Sequence, residues 1–187
     1  EIRMPSTCPA CGAGLELSGE ILYRCSAGSA CTAQLKESIR HFSSRNALNI
    51  DGLGDKLISQ LVDAELIKEA ADLFGLDYFE LIKLERMGEK SARKILLAID
   101  KSRDVTLSSF LFALGIREVG ETTAASLANY FQNLDELLSA SSRSLEEIED
   151  VGPIVASNIV SFFSDHGNLQ MIEKLKQHGV RLTHSSI

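Results

Sequence analysis

Apolar residues along this chain repeat one pattern around four glycines. Gly54 is preceded by Ile50 and Leu53 and followed by Ile58, Leu61 and Val62. At the same offsets Gly88 has Leu84, Met87, Ala92, Ile95 and Leu96; Gly120 has Ile116, Val119, Ala124, Leu127 and Ala128; Gly152 has Ile148, Val151, Ala156, Ile159 and Val160. The glycines are 34, 32 and 32 residues apart. A fixed period of that length signals one supersecondary unit repeated, each copy too small to bury its own apolar face.

Each copy has a short apolar segment before the glycine (47–50, 78–84, 107–114, 145–148) and a longer one after it (55–64, 89–101, 121–131, 153–163). The longer segments space their apolar residues three and four apart, which is helical periodicity. Pro153 suits a first helical turn, where its missing N–H costs nothing. Asp55, Glu89 and Glu121 place negative charge where a helix dipole favours it. The predicted unit is helix, tight glycine hairpin, helix, with hairpins near 50–54, 84–88, 116–120 and 148–152.

The first 35 residues follow a different grammar. Cys8, Cys11, Cys25 and Cys31 are all the cysteines of the chain, spaced C-x2-C, thirteen residues, then C-x5-C. Two thiol pairs on tight turns can converge on one tetrahedral Zn2+ as a closed structural site. Pro9, Gly12, Gly14, Ser26, Gly28 and Ser29 supply the turns, and Leu15, Leu17, Ile21 and Tyr23 suggest a hairpin around Gly19. Two disulfides or a redox C-x2-C are the competing readings; the rest of the chain needs no staple, and a redox pair needs no second pair. Residues 36–46 read as a helix or connector that exposes Lys36, Arg40, His41 and Arg45, with His41 a surface or interface histidine. Residues 169–178 read as a helix, followed by a polar end resembling a linker. The expected organisation is a zinc module over 1–35, an all-α repeat domain over 36–165 and a C-terminal helix or linker over 166–187. The chain is thus mainly α.

Composition narrows the function classes. At 44% hydrophobic and 24% charged the 187 residues suit one or two small soluble domains, and no apolar run approaches a membrane span. The chain starts at Glu1 and reads as a fragment. Its net charge of −7 is uneven: about −1 over residues 1–103 and −6 over 104–187. Residues 83–103 carry seven cations (Lys83, Arg86, Lys90, Arg93, Lys94, Lys101, Arg103) against three acids. Such a stripe suits either a solvated helix face or a polyanion-binding one, since phosphate contact answers to the local field.

A glycine hairpin entering a helix N-terminus offers unpaired N–H groups at the positive end of a dipole, with no side chain in a phosphate's way. Four such turns in register point to sequence-independent, salt-sensitive contact with a phosphate backbone. With a tetracysteine module ahead of them, they resemble the helix-hairpin-helix repeats in the C-terminal half of bacterial NAD-dependent DNA ligases. The segments 51–56, 84–92 and 113–121 carry the likeness most closely, and the match runs from about Cys8 to about Phe163.

The resemblance implies a non-sequence-specific clamp on nicked double-stranded DNA, within a cytoplasmic enzyme of DNA replication and repair. The zinc ligands would be Cys8, Cys11, Cys25 and Cys31. Phosphates would meet Gly52, Gly54, Gly88 and Gly120, with Arg45, Lys56, Arg86, Lys90 and Arg117 as basic helpers. NAD and Mg2+ would serve the parent enzyme outside this stretch, among the remaining ligase domains. The family's hairpin normally has two glycines; here Arg86, Glu118 and Asp150 replace the first in the later copies. That favours the first and second hairpins as DNA binders, leaves the third uncertain and makes the fourth a packing element or connector. The family's adenylated lysine lies in Lys-x-Asp-Gly, and Asp51–Gly52 has Asn49 at the lysine position, so the fragment is expected to be inactive alone. A repeat scaffold for protein partners, or the DNA-binding part of another repair protein, are the alternatives.

Overall fold

The computed structural model describes residues 4–18 and 21–183. It is mostly helical, with helix-hairpin-helix units following a small segment that bears the four cysteines. Each post-glycine helix begins at the residue after its glycine: α2 (Asp55–Asp63), α4 (Glu89–Lys101), α6 (Glu121–Tyr130) and α9 (Pro153–Ser164). Their buried faces are Leu57, Ile58, Leu61 and Val62; Ala92, Ile95 and Ile99; Thr123, Ala124 and Leu127; and Ala156, Ile159 and Phe163. These are the three- and four-spaced positions of the sequence pattern, as burial of one helical stripe requires.

The helices before the hairpins are shorter and capped by side chains. In α3 (Tyr78–Leu81), Asp77 and Glu80 form a reciprocal capping box. Thr106 caps α5 (Leu107–Ala113) and Ser141 caps α8 (Ser142–Glu146) by accepting an N–H of the first turn. The first repeat departs from expectation, because 47–50 is turn and irregular chain, with Asn49 at a positive φ of 51°. Its leading helix is α1 (Thr32–Ser43), which packs on α2 and is reached through the turn 44–48. The stretch read as a helix or connector at 36–46 is helix up to Ser43 and turn over 44–46. His41, half-buried, bonds through Nε2 to the carbonyl of Phe112 at 2.6 Å, so it is an interface histidine between α1 and α5. One continuous apolar core runs from Leu35 to Val180, with Phe42, Leu61, Leu111, Leu127 and Leu145 fully enclosed.

The connecting helix α7 (Leu134–Leu138) is capped by Asn133 and leads into repeat four. Beyond the repeats, α10 (His166–Gln177) packs back on α9 and on the 3-10 turn Ala70–Gly75. Lys174 bonds Glu69 at 2.7 Å and also reaches Asp72. Burial raises the Asp72 pKa, but Lys174 and the N–H groups of Lys68 and Glu69 outweigh it and hold the carboxyl below its usual range. The carboxylates of Asp72 first and Glu69 second push the Lys174 pKa up. The strand β3 (Asp104–Thr106) pairs in parallel with β4 (Arg181–Thr183), numbered after the cysteine-segment strands β1 (Leu15–Ser18) and β2 (Leu22–Cys25). Arg181 grips both Asp104 oxygens, at 2.7 and 2.8 Å. The polar end up to Thr183 is thus tied to the body, and the remainder of the expected linker lies outside the described residues. No helix among the described residues is long and apolar enough to cross a membrane.

Candidate nucleic-acid interface and metal centre

The four hairpins share one backbone geometry. The residue two before each N-cap glycine adopts a positive φ: Gly52 at 88°, Arg86 at 58°, Glu118 at 62° and Asp150 at 67°. The next residue donates back to a carbonyl three residues earlier: Leu53 to Ile50, Met87 to Leu84, Val119 to Ile116 and Val151 to Ile148, at 3.0–3.4 Å. The glycine itself then caps the helix in extended conformation, with φ −88°, −84°, −89° and −83° for Gly54, Gly88, Gly120 and Gly152. Its carbonyl accepts from the residue four ahead, Ile58, Ala92, Ala124 or Ala156, at 2.9–3.0 Å. The substitutions at 86, 118 and 150 thus occupy the position where glycine is conformationally preferred.

None of the four N-cap glycines has a side-chain cap, and a Cβ added at any of them would meet nothing within 4 Å. The first-turn N–H groups therefore face open space at the positive pole of a helix, the arrangement that holds anions. In the fourth copy Pro153 at the first helical position removes one of those donors. Exposed Glu149 and Asp150 flank the same turn. Hairpin four keeps the backbone shape and has the weakest anion chemistry.

The predicted basic helpers lie on the surface. Arg45, Lys56, Arg86 and Lys90 are exposed and have no acidic partner among the described residues. Arg117 is exposed, and its carbonyl accepts from Asn158 at 3.2 Å. Gly52, Gly54, Gly88 and Gly120 are exposed as well. Arg45 joins Lys94 and Lys101 along a cleft of about 570 Å³ beside hairpin one, where Lys94 pairs with Asp51 at 3.0 Å. Arg93 instead lies over the Tyr78 ring at 5.5 Å. Arg103 is used structurally, bonding the carbonyls of His178 and Phe74 and the Asp100 carboxylate.

Contacts between repeats link the hairpins in pairs. Lys94 and Ile95 of α4 approach Asp51 and Gly52 of hairpin one, and Gln60 of α2 donates to the Glu85 carbonyl of hairpin two at 3.3 Å. Asn158 of α9 makes the corresponding reach into hairpin three. Asn46 bonds Glu121 at 2.7 Å, joining the turn before hairpin one to the helix after hairpin three. Gln60 and Asn158 did not stand out in the sequence. The signal available was their shared offset, six residues after the N-cap glycine.

The four cysteine sulfurs all lie within 4.8 Å of one another. Cys8 and Cys31 are 4.0 Å apart, and Cys11 and Cys25 are 3.4 Å apart. A tetrahedron of thiolates around Zn2+ has edges of about 3.8 Å, so the donor set fits such an ion. The first pair sits on a turn closed by Gly12 N–H to Cys8 carbonyl at 2.8 Å. Between the pairs run β1 and β2, which pair Leu17 with Tyr23; the Gly19 turn lies outside the described residues. Cys31 is the N-cap of α1, and Gln34 holds the Cys25 carbonyl at 2.9 Å, which fuses the cluster to the repeat body. N–H groups of Ala10 and Cys11 draw the Cys8 thiol down to about 7. Cys11 is helped by the Ala13 N–H, but the crowding thiols, Cys25 first, push it up to about 12. Four adjoining thiols cannot all ionise without a cation among them.

Comparison with known proteins agrees with this geometry. Residues 44–101 match the SAM-like helix-hairpin-helix tandem model, and residues 109–172 match the helix-hairpin-helix motif model. The chain is 49% identical over 181 residues to a DNA ligase of Saccharophagus degradans (strain 2-40 / ATCC 43961 / DSM 17024). That alignment covers 96% of this chain and 27% of the relative, so the chain spans about a quarter of that ligase. The ligase likeness, the two helix-hairpin-helix matches and the four-thiol cluster together fit a C-terminal fragment of a DNA ligase.

Proposed function

We propose that this chain is the DNA-gripping part of an NAD-dependent ligase that seals 5'-phosphate/3'-hydroxyl nicks in cytoplasmic DNA replication and repair. The observation that carries the reading is the hairpin geometry: N-cap glycines with open Cβ positions and uncapped helix N-termini, beside uncommitted cations at Lys56, Arg86 and Lys90. Such cradles hold backbone phosphates and leave the bases unread, as an enzyme acting at any nick requires. Hairpins one and two make the principal contacts, through Gly52, Gly54, Gly88 and the cations Arg45, Lys56, Arg86 and Lys90. Gly120 and Arg117 of hairpin three contribute against the adverse charge of Glu118. Hairpin four serves packing.

Cys8, Cys11, Cys25 and Cys31 hold a structural Zn2+, which ties residues 4–31 to α1 and takes no part in the chemistry. Asp51–Gly52 is a hairpin turn whose aspartate pairs with Lys94, and Asn49 stands two residues before it. Adenylate transfer, NAD and Mg2+ therefore belong to the rest of the parent enzyme. In the parent ligase, Arg86→Ala with Lys90→Ala should reduce nick sealing while leaving self-adenylation by NAD intact. Unimpaired sealing would contradict the proposed clamp.

A further inference from the structure

Two polar side chains reach across the repeats to the same point of a neighbouring hairpin. Gln60 lies six residues after Gly54, and its side-chain amide donates to the Glu85 carbonyl, three residues before Gly88, at 3.3 Å. Asn158 lies six after Gly152 and donates to the Arg117 carbonyl, three before Gly120, at 3.2 Å. Lys94 occupies the corresponding place after Gly88, but it pairs with the Asp51 carboxylate rather than a carbonyl. Ser126 occupies it after Gly120, with a side chain too short for such a reach.

The anchored carbonyl belongs to the peptide unit that precedes the left-handed residue, Arg86 in one case and Glu118 in the other. All peptide bonds among the described residues are trans. In a trans peptide the N–H points opposite to the C=O. Holding the Glu85 oxygen toward α2 therefore turns the Arg86 N–H away from α2, and holding the Arg117 oxygen toward α9 does the same for the Glu118 N–H. Neither N–H has an acceptor among the described residues. A bulky residue at positive φ has a shallow conformational well, so a turn with Arg86 or Glu118 in place of glycine has most to gain from an external anchor.

We propose that Gln60 and Asn158 are positioning residues, each aiming the main-chain N–H of a neighbouring hairpin's left-handed residue (Arg86 and Glu118) at a DNA phosphate. The functional unit is then a pair of repeats, one and two or three and four, in which one repeat supplies the cradle and its neighbour orients it. This inference rests on the DNA-binding reading above, and it separates these residues from the cations that touch phosphate themselves.

The test uses the whole 187-residue chain loaded with zinc, and variants Gln60→Met and Asn158→Leu, which keep side-chain bulk and remove the donor. Circular dichroism checks that each is folded. Affinity for a nicked duplex should fall about three- to tenfold in each, the loss expected when one hydrogen-bond donor is misaimed. The slope of log affinity against log salt should become shallower by up to about one phosphate contact. In amide NMR spectra, the DNA-induced shift of the Arg86 N–H should shrink in Gln60→Met, and that of Glu118 in Asn158→Leu, each leaving the other hairpin unchanged. If the parent chain binds and both folded variants bind equally well with unaltered amide shifts, the positioning role is overturned and the DNA reading survives. If the parent chain itself fails to bind, both fall together.

Discussion

The side chain of Gln60 and the main-chain carbonyl of Glu85, 25 residues apart in sequence, meet at 3.3 Å across two repeats. The contact ties the helix after one hairpin to the turn of the next, so the spacing of the two proposed phosphate cradles is set by packing between repeats. Because each cradle consists of backbone, its quality depends on conformation and nearby charge, and the two can be separated by mutation.

Positions 86 and 118 allow that separation. A non-glycine residue in the left-handed region carries roughly 1–2 kcal/mol of strain, which glycine relieves at an entropic cost of about 0.5–1 kcal/mol. Arg86→Gly and Glu118→Gly should each leave thermal stability unchanged or raise it by up to about 1 kcal/mol. Their DNA affinities should move in opposite directions. Arg86→Gly removes a cation and should weaken binding, whereas Glu118→Gly removes an anion and should strengthen it. Melting curves with duplex titrations check both, and parallel changes in affinity would exclude charge as the cause.

Gly88 isolates the steric requirement. Its φ of −84° suits any residue, and an added Cβ meets no protein atom within 4 Å. Gly88→Ala should therefore fold, losing no more than about 1 kcal/mol from the poorer cap. The methyl group occupies the phosphate's approach, so affinity should fall at least several-fold. Unchanged affinity in this variant would remove hairpin two from the interface.

Metal removal acts on a separate part of the molecule. Structural zinc contributes about 10 kcal/mol or more to small modules. Chelation, or Cys25→Ser, should unfold residues 4–31 and fray the start of α1, because Cys31 is its N-cap. Most helical signal should persist, since the core from Leu35 to Val180 does not include the thiol cluster. Far-ultraviolet circular dichroism with metal analysis reads this, and a fold insensitive to chelation with no bound metal would rule out a zinc site.

The ties on α10 and β4 should respond to acid. Asp72 and Asp104 both have lowered carboxyl pKa values: burial raises that of Asp72 but Lys174 and nearby N–H groups overcome it, while Arg181 lowers that of Asp104. A carboxyl whose folded pKa is depressed contributes stability above its unfolded value, about 3.9, and loses it as pH falls through the folded one. Amide exchange in α10 and β4 should therefore be insensitive to these groups at neutral pH, and should speed up, after correction for intrinsic rates, below about pH 4. Lys174→Met should weaken the α10 tie already at neutral pH. Protection of α10 equal to the parent chain's in that variant would contradict the assignment.

Much of this architecture was legible because the glycine offsets repeat. The offsets located the starts of α2, α4, α6 and α9, while the resemblance to a two-glycine family hairpin marked Arg86, Glu118 and Asp150 as standing in for a glycine, in line with their positive φ values. Less accessible was the leading helix of repeat one: α1 is separated from its hairpin by a turn, and the apolar segment 47–50 mimicked a short helix. The pairing of β3 with β4 left no trace, since three-residue strands 77 residues apart carry no periodicity. Gln60 and Asn158 resembled ordinary solvated positions, and their role depends on which neighbour lies across from them.

In the proposed clamp, exposed backbone cradles with nearby cations hold DNA phosphates without reading sequence. The most direct measurement is affinity of the zinc-loaded chain for nicked duplexes of unrelated sequence over a series of salt concentrations. Equal affinities for the different sequences and a log–log salt slope of about −3 or steeper are expected, as several released counterions require. Binding that ignores salt, or no binding at low salt, would contradict this clamp.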